Sequence, residues 1–176
     1  MRNKKWIGPV LCAGLLMGVA ESHAASDGSC SSYTWDVGKE RALFAAVPAV
    51  VIASQEMTNA PRIQLGQLYQ VQLSAKKQIG RLPNDPPRPV TYGGIASIQI
   101  ATSGIYRLVM DNNAWVGMTS GISAEVPSAW QAALACKAPS KLVEFRLEAG
   151  KTYSVLISGA PEATMRFAIT QSPPRS

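Results

Sequence analysis

"SIQIATSGIYRLVMDNNAWVGM", residues 97–118, decides the fold. Three short runs of strand type, Ser97–Ile100, Ile105–Met110 and Ala114–Met118, follow one another with Gly, Asp and Asn between them, and the first alternates polar and apolar side chains. Period-two runs of this length, bounded by turn residues, are strands. A three-residue turn at Asp111-Asn112-Asn113 makes the last two runs a hairpin. It puts Tyr106, Leu108 and Met110 on one apolar face with Ala114, Val116 and Met118. Trp115 then lies on the opposite face with Val109 and Arg107. A two-residue turn would pair Trp115 with Met110 instead.

The same pattern continues in both directions. Val47–Ser54, Leu68–Leu73, Val143–Leu147, Thr152–Ile157 and Met165–Thr170 bring the strand candidates to eight. No long amphipathic helix competes, so the expectation is an all-β, jelly-roll-like antiparallel sandwich. Three strands share a further feature. "GQLYQVQL", "GIYRLVM" and "GKTYSVLI" each place Gly before a Tyr with one or two residues between them. Gly allows a tight corner, and the Tyr ring then packs inward while its hydroxyl reaches backbone, as in the tyrosine corners of sandwiches.

Two stretches break the alternation. "RLPNDPPRPVTYGG" (Arg81–Gly94) carries four prolines and reads as a loop crossing between sheets. "SGISAEVPSAWQAALACKAPS" (Ser120–Ser140) reads as a loop with one helical turn around Trp130. Near the N-terminus "DVGKERALF" (Asp36–Phe44) reads as a short helix, with Asp36 as its cap, Glu40 near the positive end of its dipole, and Trp35 folding onto Leu43 or Phe44.

"VEFRLEAGKTYSVLISGAPEATMRFAIT" resembles the closing strands of bacterial pre-peptidase C-terminal domains. That resemblance implies an exported β-sandwich acting as an accessory module, with no catalytic residues to carry over. The opening "C-x-x-Y-x-W-D-V" (Cys30–Val37) is similar to that of a family of short exported proteobacterial proteins, which adds location and fold but no activity.

The chain begins with Arg2, Lys4 and Lys5, then an apolar run from Trp6 to Ala20, then Ser22-His23-Ala24. A basic head, a short apolar core and a small-x-small site describe a cleaved secretory signal over residues 1–24. Residues 25–176 are then one domain, periplasmic or secreted, with 14 Lys+Arg against 10 Asp+Glu. Leu11 stands where a lipobox needs a small residue, which argues against lipidation at Cys12. The apolar run is too short and interrupted for a membrane span. Cleavage leaves two cysteines, Cys30 and Cys136. In an exported chain they are expected to pair, closing a loop of about a hundred residues.

Much chemistry is excluded at this level. The only histidine, His23, lies in the signal, which removes Ser-His-Asp and Cys-His systems and histidine-ligated metals from the mature chain. "FRLEAGKT" (Phe145–Thr152) ends like a phosphate loop, but Phe145 stands where the first Gly is required and a strand follows. Ser74-Ala75-Lys76-Lys77 matches S-x-x-K, yet that serine ends a strand. Asp111-Asn112-Asn113 offers oxygen ligands, which a turn explains without calcium. No basic stripe marks a nucleic-acid surface, and no cofactor is expected.

Three functional readings remain. The leading one is a non-enzymatic binding module for an envelope polysaccharide, with Trp115 as a stacking platform and Arg107 and Tyr92 beside it. The second is an accessory subunit of an envelope protein assembly, docking through an apolar patch, a strand edge or the proline-rich loop. The third is a hydrolase built on Asp36 and Glu40, one helical turn apart.

Overall fold

A computed structural model describes residues 33–75, 92–134, 136 and 138–172 of the chain. The expected signal, Cys30 and most of the proline-rich stretch lie outside the described residues. The fold is a sandwich of two sheets with one short helix near the N-terminus. The six-stranded sheet runs, in spatial order, β1 (Ala49–Ile52), β2 (Tyr69–Gln72), β11 (Thr164–Gln171), β5 (Gly104–Met110), β9 (Lys141–Leu147) and β8 (Pro127–Ala132). The five-stranded sheet runs β3 (Ser74–Ala75), β4 (Tyr92–Gln99), β10 (Thr152–Ala160), β6 (Trp115–Ser120) and β7 (Ser123–Glu125).

All eight expected strands are present, and pairing is antiparallel except between β1 and β2, which run parallel. Three strands were not expected. β7 and β8 occupy the stretch read as a loop with a helical turn. Ala and Gln there favour helix locally, but β8 gains a ladder along β9, from Ala129↔Glu144 to Ala132↔Lys141, which decides the outcome. β3 pairs with the start of β4, so the described residues that precede and end the proline-rich stretch are neighbours in one sheet. Tyr92, Gly93 and Gly94, read as loop, belong to β4.

The expected β5–β6 hairpin is instead an arch, because the two strands lie in opposite sheets. Tyr106, Leu108 and Met110 do share one core with Ala114, Val116 and Met118, but they meet across the sandwich. The turn residues hold this geometry. Arg166 donates from its backbone N–H and from Nε to the two oxygens of Asp111, both at 3.0 Å, pinning the end of β5 to β11. Asn112 Oδ1 accepts the N–H of Ala114 at 2.9 Å and turns the chain toward the other sheet.

The three tyrosines stand where the chain changes sheet, and each is buried. The Tyr69 hydroxyl accepts from Gln64 N–H and the Tyr153 hydroxyl from Glu148 N–H, both at 2.9 Å, while the Tyr106 hydroxyl donates to the Thr102 carbonyl. Burial pushes the Tyr106 phenol up from its ordinary value.

Helix α1 (Gly38–Phe44) lies on the outside of the six-stranded sheet. The helix begins at Gly38 with Val37 as its N-cap, so Asp36, expected to be the cap, stands one residue before it, where its Oδ1 accepts the Gly38 N–H at 2.9 Å. Val37 and Phe44 pack on Leu68, Val109, Leu142 and Ala168, with Trp35 and Leu43 against the same cluster. The middle strands of this sheet are therefore covered on both faces. That is why β5 reads Leu-Val-Met without alternation, all three fully buried.

Candidate functional site

The two sheets differ in width, and the difference makes a groove. In β8, Trp130 pairs with Val143, so both project to the core side of the six-stranded sheet. Val143 is covered by the second sheet, but β8 overhangs it. Asn113, Trp115, Pro127, Trp130, Leu134 and Lys141 are among the residues lining the resulting groove of about 560 Å³. Trp130 is 67% exposed and Leu134 60%. Lys141 reaches along the floor, its Nζ donating to the Ala114 carbonyl at 2.8 Å. Beyond the groove Ile122 and Val126 are also exposed, at 101% and 83%. They sit in the turn between β6 and β7 and in the link between β7 and β8.

The sheet edges are treated unequally. The outer edge of β4 is bonded by Ser54, whose N–H and carbonyl exchange bonds with Ile95 at 2.9 and 2.8 Å, and by Pro61 and Ile63, which bond Ser97. Among the described residues, no strand pairs with the outer edge of β8. The opposite edge, β1, also exposes Val50 and Ile52, but it is shorter.

Trp115, expected to lie on one face with Arg107, is separated from it by the arch. Trp115 is on the outside of the five-stranded sheet and Arg107 on the outside of the six-stranded one. Trp115 is half-buried, its ring lying flat along its own strand. A Cβ added to Gly117 would come within 2.4 Å of Trp115 Cη2. Ile95, Leu156 and Ala60 pack beside it. Tyr92 packs against the main core, away from both. Cys136 is buried with Ala133, and Tyr33 packs on the pair. Burial pushes the Tyr33 phenol up to about 12, with its backbone hydrogen bond and Arg41 opposing the shift.

Arg107 is buried, and its surroundings explain why. Its Nε donates to Glu144 Oε1 at 2.8 Å, and its Nη1 donates to Glu40 Oε1 at 3.3 Å and to the Asp36 carbonyl at 2.8 Å. The Trp35 ring lies over the guanidinium at 5.0 Å. Thr170 Oγ1 donates to Glu40 Oε1 at 2.9 Å, and Ser172 Oγ donates to Glu144 Oε1 at 3.0 Å. Glu40 thus anchors α1 to the sheet, a stronger role than a match to the helix dipole. Asp36 and Glu40 do line one cleft, of about 690 Å³, as the carboxylate reading requires. Their oxygens Asp36 Oδ1 and Glu40 Oε1 are held in structural bonds.

Trp130 escaped the sequence reading because its surroundings suggested a helical turn. The buried triad escaped it too, although Arg107, the lone charge in its strand, and Glu144, set between Val143 and Phe145, carried a signal. They face each other directly across β5 and β9. Among the described residues, no helix is long and apolar enough to cross a membrane, and no group of His, Cys, Asp and Glu is placed to hold a metal. No protein-family model matches the chain, and no curated protein matches it.

Proposed function

We propose that the protein is an exported, non-enzymatic binding module that serves as an accessory subunit of an envelope assembly. In this reading a segment of a partner protein adds to β8 and lays its apolar side chains into the groove at Trp130. One observation carries the reading. Trp130 in β8 and Leu134 just after it are at least 60% exposed beside an edge that no described strand pairs, and Ile122 and Val126 in the adjoining links are more exposed still. Soluble domains usually blunt such an edge with charge, and contiguous exposed apolar surface marks protein contacts. An added strand would pair with the outer edge of β8, which no described strand pairs, and cover Trp130 and Leu134. Export rests on the basic head, apolar run and small-x-small site of residues 1–24. It also suits a bridge between Cys30 and Cys136.

A second reading draws on a separate feature, the two tryptophans that share the groove with Asn113. Two indoles beside an amide offer faces on which the sugar rings of an envelope polysaccharide could stack. Crosslinking the protein in its own envelope through a photoreactive residue at Ser128, followed by mass spectrometry, separates the two. Recurrent attachment to one protein, lost with Trp130→Ala, is the expected result. No attached protein, with retention on polysaccharide fractions that Trp115→Ala abolishes, would overturn the assembly reading in favour of the glycan one.

A further inference from the structure

The outer edge of β8 has a definite register. Ala133 donates its N–H to the Ser140 carbonyl at 2.8 Å, in line with the pairing of Gln131 with Leu142 and Ala132 with Lys141. Backbone groups alternate sides along a strand, so Gln131 and Ala133 face β9, while Trp130 and Ala132 turn N–H and C=O to the outer edge. The side chains of Trp130 and Ala132 both line the groove, one large and one small. Below Trp130 the register shifts between Pro127 and Ala129, and Pro127 has no N–H to offer, which limits the edge on that side. The strand "PSAWQA" carries no charge, and neither do Ala133 and Leu134 after it.

We propose that this edge pairs with itself, β8 of a second copy lying antiparallel to β8 about a two-fold axis at Gln131. The inference rests on the reading of β8 as a docking edge, and it names what covers that edge until a partner's segment replaces it. The axis at Gln131 sets Trp130 of each copy opposite Ala132 of the other, so the outward groups of both residues are used. Each indole then lies beside the small Ala132 of the other copy on the groove face, and the two grooves join. Charge permits this pairing. A two-fold axis brings the residues near it against their own copies, where like charges would repel, and β8 has none. The β1 edge suits β8 less well. Its exposed Val50 and Ile52 stand on the outer face, since Val51 between them packs on the core, whereas Trp130 stands on the groove face. Pairing β8 with β1 would also leave an edge open at each end and grow without limit, while the two-fold pair closes.

The test is sedimentation equilibrium of the purified chain over a range of concentrations. A strand pair this short falls at the small end of specific interfaces, below about 1,200 Å² in total, so it should come apart on dilution. The mass is expected to rise with concentration from one copy to two and to stop there. Ala132→Pro removes an N–H that points away from β9, and Trp130→Lys changes an exposed side chain. Both should fold, and each should weaken association by roughly tenfold or more. Gln131→Cys sets a thiol against its own copy at a Cα separation of about 4.5 Å, within disulfide reach. Diamide should link that variant into dimers and leave Ser128→Cys unlinked, because pairing about Gln131 holds Ser128 far from its own copy. Mass that grows past two copies, an Ala132→Pro protein that associates like the parent, or equal linking at both positions would each overturn the proposal. So would a chain that stays single at every concentration. If such a chain still attached through Ser128 to another envelope protein, the assembly reading would stand without the dimer.

Discussion

Arg107 shows what one residue can decide in a sheet covered on both faces. Its guanidinium ties α1, β5 and β9 together through Glu40 and Glu144, both almost fully buried. Removing one partner from a buried charge cluster leaves the others uncompensated, which costs more than the cluster itself stabilises. Arg107→Met is therefore expected to destabilise the fold by about 3–5 kcal/mol in urea unfolding. Replacing Arg107, Glu40 and Glu144 together by apolar residues of similar volume should recover most of that loss. The charges were legible in the sequence. That Arg107 would meet the glutamate of the N-terminal helix was not, because the two are far apart in the chain and only packing joins them.

At the scale of elements, glycine marks where two segments approach. Gly94 sits in β4 beside the chain as it leaves β1, and a Cβ there would stand 2.4 Å from the Cβ of Ala53. Ser54 and Ile95 hold that approach with their paired backbone bonds, so neither side yields easily. Gly94→Ala should cost about 1–3 kcal/mol by overpacking, and adding Ala53→Gly should restore part of it in the double variant. The paired glycines at the end of the proline-rich stretch were read as loop, since glycine in a strand looks like a breaker until its neighbour is known. The tyrosine corners were read correctly. Their geometry is local, with each hydroxyl bonding backbone four or five residues upstream, so short sequence spacing contains it.

The whole molecule is a sandwich whose N-terminal segment is fastened to its far side. Tyr33 donates to the Pro139 carbonyl at 2.9 Å and packs on Cys136, three positions after Cys30 in the chain. A Cys30–Cys136 bridge is expected to add about 4–5 kcal/mol by restricting the unfolded chain. Non-reducing mass spectrometry should find the linked peptides, and reductant should lower the melting temperature. A melting curve that reductant leaves unchanged would sink the bridge. The same region borders the overhanging β8, so reduction should also weaken partner crosslinking at Ser128 if the clip keeps that edge in place.

By itself the sequence determined the all-β class, the eight main strands, the short helix and the sheet-changing corners, because alternation, turn chemistry and Gly–Tyr spacing act over a few residues. It left open which strands are neighbours. Two alternating runs joined by a short turn bury the same side chains whether they pair in one sheet or face each other across a core. The pattern around Asp111–Asn113 therefore reads the same for a hairpin and for an arch. Only the tertiary structure chose the arch, through Arg166 on Asp111, and so placed Trp115 and Arg107 on opposite outer faces. It alone also made β8 a strand and an edge. The widths of the two sheets are set by long-range pairing, and their mismatch leaves Trp130 uncovered.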